Sequence, residues 1–151
     1  MNTIQPIATF PIHLPYKETD KRITISTNNY SVYPVTSMKD LIANAIKYHS
    51  EGNFLKAKEY YKYIIENGCN DEKVFLNYAS LIKNDKKLAE DLLNKAIKIN
   101  PKYAIAYFNL GKIQKELGKL KEAQITIQKS IEINTNLTES YVMLSKIFKE
   151  L

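Results

Sequence analysis

Few residues in this 151-residue chain could support catalysis or bind a metal. The only histidines are His13 and His49, and the single cysteine is Cys69. An enzyme needs a nucleophile, a base and a stabilising group close together, and a metal site needs several His, Cys or carboxylate ligands. Neither histidine has such a ligand at a suitable spacing, and Cys69 has no nearby group to activate it. The sequence therefore predicts no enzyme activity, no metal site and no cofactor.

The charged residues argue against nucleic acid as a partner. The net charge of +6 comes from 22 basic and 16 acidic residues, and Arg22 is the only arginine. Proteins that read nucleic acid specifically depend on arginine for paired contacts to phosphate and guanine. With four glycines the chain also lacks a glycine-rich phosphate loop. The surplus of lysine is compatible with an acidic partner protein.

Hydropathy gives no sign of a membrane segment. The longest apolar stretches are a few residues long, and the N-terminus lacks the basic start and apolar run of a signal peptide. One cysteine cannot form an internal disulfide, which agrees with a reducing compartment. We expect no membrane association and a cytoplasmic location.

Turn and capping residues divide residues 38–151 into seven predicted helices of about 12 to 15 residues. Their boundary signals are Ser37 with Asp40 before the first helix, Gly52 and Asn53 at the first turn, Gly68 after the second helix, Asn70 or Asp71 before the third, Pro101 at the start of the fifth, Gly118 at the next turn, and Asn136 with Glu139 as a capping box before the seventh. Short connections between these helices predict that neighbours pack antiparallel.

The same region repeats with a period near 34 residues. We divide it into units 38–71, 72–103 and 104–137 and a partial or capping helix, 138–151. Large residues share the fourth place of each unit: Leu41, Phe75, Tyr107 and Tyr141. Small residues share the eighth place: Ala45, Ala79, Gly111 and Ser145. Small residues at fixed places let helices approach closely, so each unit is predicted to be a helix pair that stacks on its neighbours.

The residue types at these shared places resemble the sequence pattern of the tetratricopeptide repeat (TPR) family. The third unit matches best, through Tyr107, Leu110, Gly111, Gly118 and Ala123. The resemblance implies an all-α fold, a right-handed α-solenoid of antiparallel helix pairs with about three and a half units. The second unit is two residues short, and the turn at 84–85 is the expected place of the deletion.

Residues 1–37 differ from the repeats. They contain four of the five prolines and show no helical period. Alternating apolar residues on either side of Asn28 and Asn29 fit a short hairpin, whereas the prolines fit a disordered tail. We predict an irregular or hairpin-like N-terminal extension.

The resemblance also implies a binding surface, because the first helix of each unit lines the concave groove of such a solenoid. Candidate groove residues are Ile42, Lys73, Leu76, Asn77, Lys83, Phe108, Asn109, Lys112, Lys115 and Lys146. By the same resemblance, Asn77 and Asn109 at the sixth place of adjacent units would bond a peptide backbone, since an amide donates and accepts. An exposed Phe108 would anchor the peptide. The ordinary alternatives are a solvated lysine face and apolar packing between successive first helices.

One specialised binding mode of the family is not expected. The carboxylate clamp that holds chaperone tails needs Lys and Asn where this chain has Ile42 and Ile46. It also needs Lys and Arg where this chain has Ile105 and Asn109. We therefore do not expect chaperone tails to bind by this route.

The sequence thus predicts a non-catalytic protein–protein interaction module, a scaffold or adaptor, that binds a protein or peptide with apolar and acidic residues. The alternative is the repeat region of a larger enzyme, similar to the repeat-bearing glycosyltransferases, that presents substrate to a separate catalytic domain. Three interpretations are open for the 138–151 helix: it caps the solenoid, it precedes further chain, or it self-associates with a second copy.

Overall fold

The computed structural model describes residues 37–82 and 84–151, and within these ranges it contains seven helices and no strand. The helices are α1 (Met38–Ser50), α2 (Phe54–Glu66), α3 (Glu72–Leu81), α4 (Lys86–Ile99), α5 (Ala104–Glu116), α6 (Leu120–Ile133) and α7 (Thr138–Glu150). The predictions for residues 1–36 and for Lys83 lie outside the described residues.

Each helix packs on the helices that precede and follow it in the chain. Helices α1 and α2, α3 and α4, and α5 and α6 form pairs, and α2, α4 and α6 each also contact the first helix of the next pair. Helix α5 additionally contacts α7. The prediction of an all-α solenoid of stacked helix pairs is confirmed.

Small residues are buried where paired helices approach most closely. Ala45, Ala57, Ala89 and Ala123 have no exposed surface. At Gly111 in α5, an added Cβ atom would lie 2.6 Å from the Cδ1 and Cγ1 atoms of Ile127 in α6. At this position a side chain would collide with Ile127, so glycine permits the close approach of α5 and α6.

Side-chain caps start the first four helices. At α1 the Asp40 N–H donates to Ser37 Oγ at 3.1 Å, and the Ser37 N–H donates to the Asp40 carboxylate at 3.3 Å. This is the predicted capping pair. The side chains of Asn53, Asp71 and Asp85 cap α2, α3 and α4.

Two predicted helix starts are wrong. The Asn136 and Glu139 capping box does not form, because Leu137 is the N-cap of α7 and the Asn136 N–H donates to Asn134 Oδ1 at 3.0 Å. Pro101 lies in a turn before α5, which begins only at Ala104. In both places an asparagine side chain holds the chain in a turn before the helix can start.

The second unit is shorter because its first helix lacks three residues, while the connection after that helix is one residue longer. Helix α3 has 10 residues, whereas α1 and α5 have 13 each. Four residues separate α3 from α4, whereas three residues separate α1 from α2 and α5 from α6. The predicted deletion in the turn is therefore wrong, and α3 ends early beside α5.

Candidate functional site

A surface cavity of about 370 Å³ opens where α3 ends, between α3 and α5. Its lining residues are Ala79, Ser80, Ile82, Leu93, Asn109, Lys112, Ile113 and Glu116. We call it the α3–α5 cavity. Its apolar surface comes from alanine, leucine and isoleucine side chains, and its polar groups are a hydroxyl, an amide, an ammonium and a carboxylate. The cavity brings together two predicted site residues, Asn109 and Lys112.

The two charged side chains of the α3–α5 cavity differ in their partners. The Glu116 carboxylate lies 3.3 Å from Lys86 Nζ of α4, and Lys86 Nζ also donates to the Glu116 carbonyl oxygen at 3.4 Å. Lys112 is exposed and forms no ion pair with any residue in 37–82 or 84–151. The acidic group is thus neutralised while the ammonium faces solvent, so the cavity favours an anionic ligand group.

Asn109 and Ser80 supply the neutral polar groups. The Ser80 hydroxyl donates to the Asn77 carbonyl oxygen at 2.7 Å, so its proton is already used. Asn109 is half-buried, and its side chain has no hydrogen bond to the described part of the chain. Its amide can therefore both donate to and accept from a bound group.

Asn77 occupies the same repeat place as Asn109 but has different surroundings. It lies near the fully buried Tyr61, whose hydroxyl is 3.3 Å from His49 Nδ1. Burial raises the pKa of Tyr61, and hydrogen bonding by Asn77 partly opposes this rise. Asn77 thus contributes to a polar cluster between α1, α2 and α3 and does not line the α3–α5 cavity.

Leu76 is buried, which corrects its assignment to an open groove, whereas Ile42 and Phe108 are partly exposed. Leu76 is 8% exposed and belongs to the core cluster formed by α3, α4 and α5. Phe108 is half-buried against Ala123, Ile127 and Ile147, and Ile42 is half-buried against the core of the first pair. Burial between helices removes apolar surface from water, so Leu76 is not a free anchor, and Ile42 and Phe108 use part of their surface for packing.

The remaining lysines fall into two groups. Lys115 Nζ lies 2.6 Å from the Glu150 carboxylate of α7, and its side chain is only 21% exposed. This ion pair neutralises Lys115 and links α5 to α7. Lys73 and Lys146 are exposed, away from the α3–α5 cavity. Lys83 lies outside the described residues.

The shape and composition of the solenoid match known repeat proteins. The family model described as Tetratricopeptide repeat matches residues 92–125. The first TPR of Spaghetti (RPAP3), solved with the HSP90 peptide SRMEEVD, is 27% identical, with 75% of this chain and 91% of that chain covered and a TM-score of 0.68. Residues 92–125 thus match a tetratricopeptide repeat, and the described solenoid has the fold of tetratricopeptide-repeat domains.

Two further solved structures share the fold of these tetratricopeptide repeats. MamA is 22% identical, with 78% of this chain and 70% of that chain covered and a TM-score of 0.72. A mutant O-GlcNAc transferase from Thermobaculum terrenum is 17% identical, with 73% of this chain and 22% of that chain covered and a TM-score of 0.66. At these identities the likeness concerns the fold alone. No curated protein matches the sequence.

The described ranges contain neither a group of metal ligands nor a membrane-spanning helix. No group of three or more His, Cys, Asp or Glu side chains in 37–82 and 84–151 could hold a metal ion. Within the same ranges, no helix is long and apolar enough to cross a membrane.

Sequence reasoning missed most of the α3–α5 cavity. Ile82, Leu93, Ile113 and Glu116 line it and were not predicted as site residues. The signal that could have revealed them is the short second unit of the tetratricopeptide repeats.

Proposed function

We propose that these tetratricopeptide repeats are a non-catalytic protein-interaction module that binds a peptide segment at the α3–α5 cavity. The observation that supports this proposal is a cavity of mixed polar and apolar lining that holds an amide and an ammonium without a partner in the described residues. Its volume of about 370 Å³ lies within the usual range of ligand sites, about 300–1,000 Å³.

Each part of the cavity has a complementary group on a peptide. An apolar side chain would enter the space between Ile82, Leu93 and Ile113, and its surface would be removed from water. The Asn109 amide would bond a peptide N–H and C=O together. Lys112 would pair with an Asp or Glu side chain. The ligand class is therefore a segment that combines apolar and acidic residues.

The solved Spaghetti repeat supports a peptide of this class. The peptide in that structure, SRMEEVD, combines Met and Val with Glu and Asp. The present chain has isoleucine at positions 42 and 46, where the carboxylate clamp needs polar groups. We therefore propose an acidic and apolar segment held by Lys112, and not a chaperone tail held by the clamp.

Binding is expected to be moderate in strength. A flexible peptide loses conformational entropy when it binds, and a partly open cavity buries only a few of its side chains. The affinity should also fall as salt is added, because Lys112 is exposed and its attraction to a carboxylate is screened.

The test uses a peptide library rich in Leu, Phe, Asp and Glu, selected on the intact chain and followed by fluorescence anisotropy of a labelled binder. Lys112→Glu should weaken binding at least about tenfold, a change of about 1.4 kcal/mol. Asn109→Ala should weaken it several-fold. Lys121→Glu makes the same charge change on an exposed site of α6 and serves as the matched control. Equal affinity for all four proteins would refute the proposal.

A further inference from the structure

Helix α2 ends in a backbone motif that requires a glycine. The Gly68 N–H donates to the Ile65 carbonyl oxygen at 3.1 Å, and the Cys69 N–H donates to the Ile64 carbonyl oxygen at 3.2 Å. Gly68 has a φ of +82°, in the left-handed region that residues with a Cβ atom rarely adopt. These are the bonds of a Schellman motif, and the C-cap residue before its glycine is Asn67.

Two other helices end in a glycine of the same conformation without an asparagine before it. Gly52 after α1 has a φ of +75°, and Gly118 after α5 has a φ of +76°. The C-cap residues of these helices are Glu51 and Leu117. The motif therefore needs the glycine but not the asparagine. Asn67 is the one asparagine of the sequence that precedes a glycine.

An asparagine before a glycine can react with its own backbone. The backbone nitrogen of the glycine loses its proton to a solvent base and attacks the asparagine Cγ atom, and the absence of a glycine side chain leaves this approach open. The N–Cγ bond forms, the Cγ–Nδ2 bond breaks, and ammonia leaves a five-membered succinimide ring. Water then opens the ring at either carbonyl, which gives aspartate or isoaspartate. No oxidant or reductant is needed.

The folded end of α2 slows this reaction without preventing access to it. Asn67 is exposed, so water and base reach its side chain. Its Nδ2 atom donates to the Tyr63 carbonyl oxygen at 2.8 Å, and the Gly68 N–H is bonded to Ile65. Both groups must leave these partners before they can react with each other. Helix ends open at a small cost in free energy, so the reaction proceeds from the opened last turn.

The products weaken the end of α2. A carboxylate at position 67 cannot donate to the Tyr63 carbonyl oxygen, and its negative charge lies beside the unpaired carbonyl groups of the helix C-terminus. Glu66 already places one carboxylate next to it. Isoaspartate also lengthens the backbone by one carbon before Gly68, which disturbs the bonds made by the Gly68 and Cys69 N–H groups.

We propose that Asn67 is a site of spontaneous deamidation, at which the chain converts its own asparagine to aspartate and isoaspartate and thereby loosens the connection between α2 and α3. The site shares no residue with the α3–α5 cavity, so this proposal does not rest on peptide binding there.

The test incubates the intact chain in mildly alkaline buffer and follows conversion by tryptic digestion and tandem mass spectrometry. The tryptic peptide 63–73 contains Asn67 and also Asn70, which precedes Asp71 and is the internal control. A synthetic peptide of the same sequence gives the rate without the fold. Asn67 should convert and Asn70 should not, and conversion should be at least about tenfold slower in the intact chain than in the peptide. An isoaspartyl methyltransferase assay identifies the isoaspartate.

Two variants separate the chemistry from its structural effect. Asn67→Leu copies the end of α5, where Leu117 is the C-cap, and should abolish conversion while keeping the fold. Asn67→Asp makes one product directly. Hydrogen exchange of the Gly68 and Cys69 N–H groups should be at least about threefold faster in Asn67→Asp than in Asn67→Leu. Exchange at Gly118 should be equal in the two proteins and serves as the matched control.

Three results would overturn the proposal. The first is an intact chain that keeps all of its Asn67 over the time in which the synthetic peptide converts completely. The second is equal conversion at Asn67 and Asn70, because the glycine would then have no effect. The third is equal hydrogen exchange at Gly68 and Cys69 in the Asn67→Asp and Asn67→Leu proteins, because the new charge would then leave the end of α2 unchanged.

Discussion

The Ser130 and Ser140 hydroxyl oxygens lie 3.0 Å apart, and both side chains are completely buried between α6 and α7. Ser130 donates to the Ala104 carbonyl oxygen, so Ser140 must donate to Ser130. This chain of hydrogen bonds links α5, α6 and α7 in an otherwise apolar contact. Buried polar groups of this kind define one arrangement of the helices because any other arrangement would leave them without partners.

Removing either hydroxyl should destabilise the solenoid by different amounts. Ser140→Ala removes one donor and should lower the free energy of unfolding by about 1 kcal/mol. Ser130→Ala also leaves the buried Ser140 hydroxyl without its acceptor and should cost roughly 1–3 kcal/mol. Urea unfolding of both single variants and the double variant measures these values. Strictly additive losses would contradict the coupling that the 3.0 Å contact implies.

Gly111→Ala should destabilise the protein even though alanine is the better helix former. The new methyl group would meet Ile127 at 2.6 Å, and Ile127 is fully buried and has little room to move. Overpacking costs about 1–3 kcal/mol, which should exceed the gain of about 1 kcal/mol in helix propensity. Thermal or urea unfolding measures the net effect. Adding Ile127→Val should recover part of the loss, and a more stable Gly111→Ala protein would show that α5 and α6 are further apart.

The ion pair between Glu90 and Lys119 should matter more than the exposed pairs. Glu90 is 5% exposed, and Lys119 Nζ lies 2.9 Å from both of its carboxylate oxygens. Lys119→Met would leave a buried carboxylate with only Lys87, 3.6 Å away, as a partner. Because Lys119 itself is partly exposed, we expect a loss of roughly 1–2 kcal/mol in the free energy of unfolding.

The control for this ion pair is Lys129→Met, which removes a 2.8 Å contact to Glu132 on the surface. No measurable change is expected there, because solvent screens the pair. Equal losses in the two variants, measured by urea unfolding, would contradict the importance assigned to burial at Glu90.

The tyrosines predict a loss of stability at alkaline pH. Burial raises the pKa values of Tyr60, Tyr61, Tyr78 and Tyr103 above the usual 10.0. The unfolded chain then releases these protons at lower pH than the folded chain does. Their contribution to stability is therefore complete below pH 10.0 and is lost as the pH rises through the folded pKa values.

Urea unfolding at a series of alkaline pH values checks this dependence. Tyr78→Phe should make the decline shallower, because it removes one ionisable group whose pKa is raised by burial and by the Glu66 carboxylate. Tyr141→Phe is the control, since Tyr141 is 46% exposed. A steeper decline in Tyr78→Phe would contradict the expectation.

The repeat columns and local capping signals predicted much of the fold. Ala45 and Ala79 were assigned to close helix contacts from their spacing, and both are buried. Ser37 and Asp40 predicted the start of α1 because a capping pair depends only on residues three places apart. Periodicity and capping are local properties, so they can be recognised without knowing the tertiary structure.

The candidate site was harder to predict because it depends on contacts between distant residues. Leu76 and Phe108 share the fifth place of their units, and whether that place faces solvent depends on how successive pairs pack. Lys115 forms an ion pair with Glu150, which lies 35 residues further along the chain. No local pattern indicates such a pair, so the lysines could not be ranked from sequence.

The central claim is that a peptide binds at the α3–α5 cavity, and NMR of the isotope-labelled chain during titration with a selected acidic and apolar peptide tests it most directly. The account predicts that the largest shift changes occur at the side-chain amide of Asn109 and at the backbone signals of Ser80, Lys112 and Ile113. Saturable binding whose largest changes lie on α1 and α2, with those four residues unaffected, would contradict it.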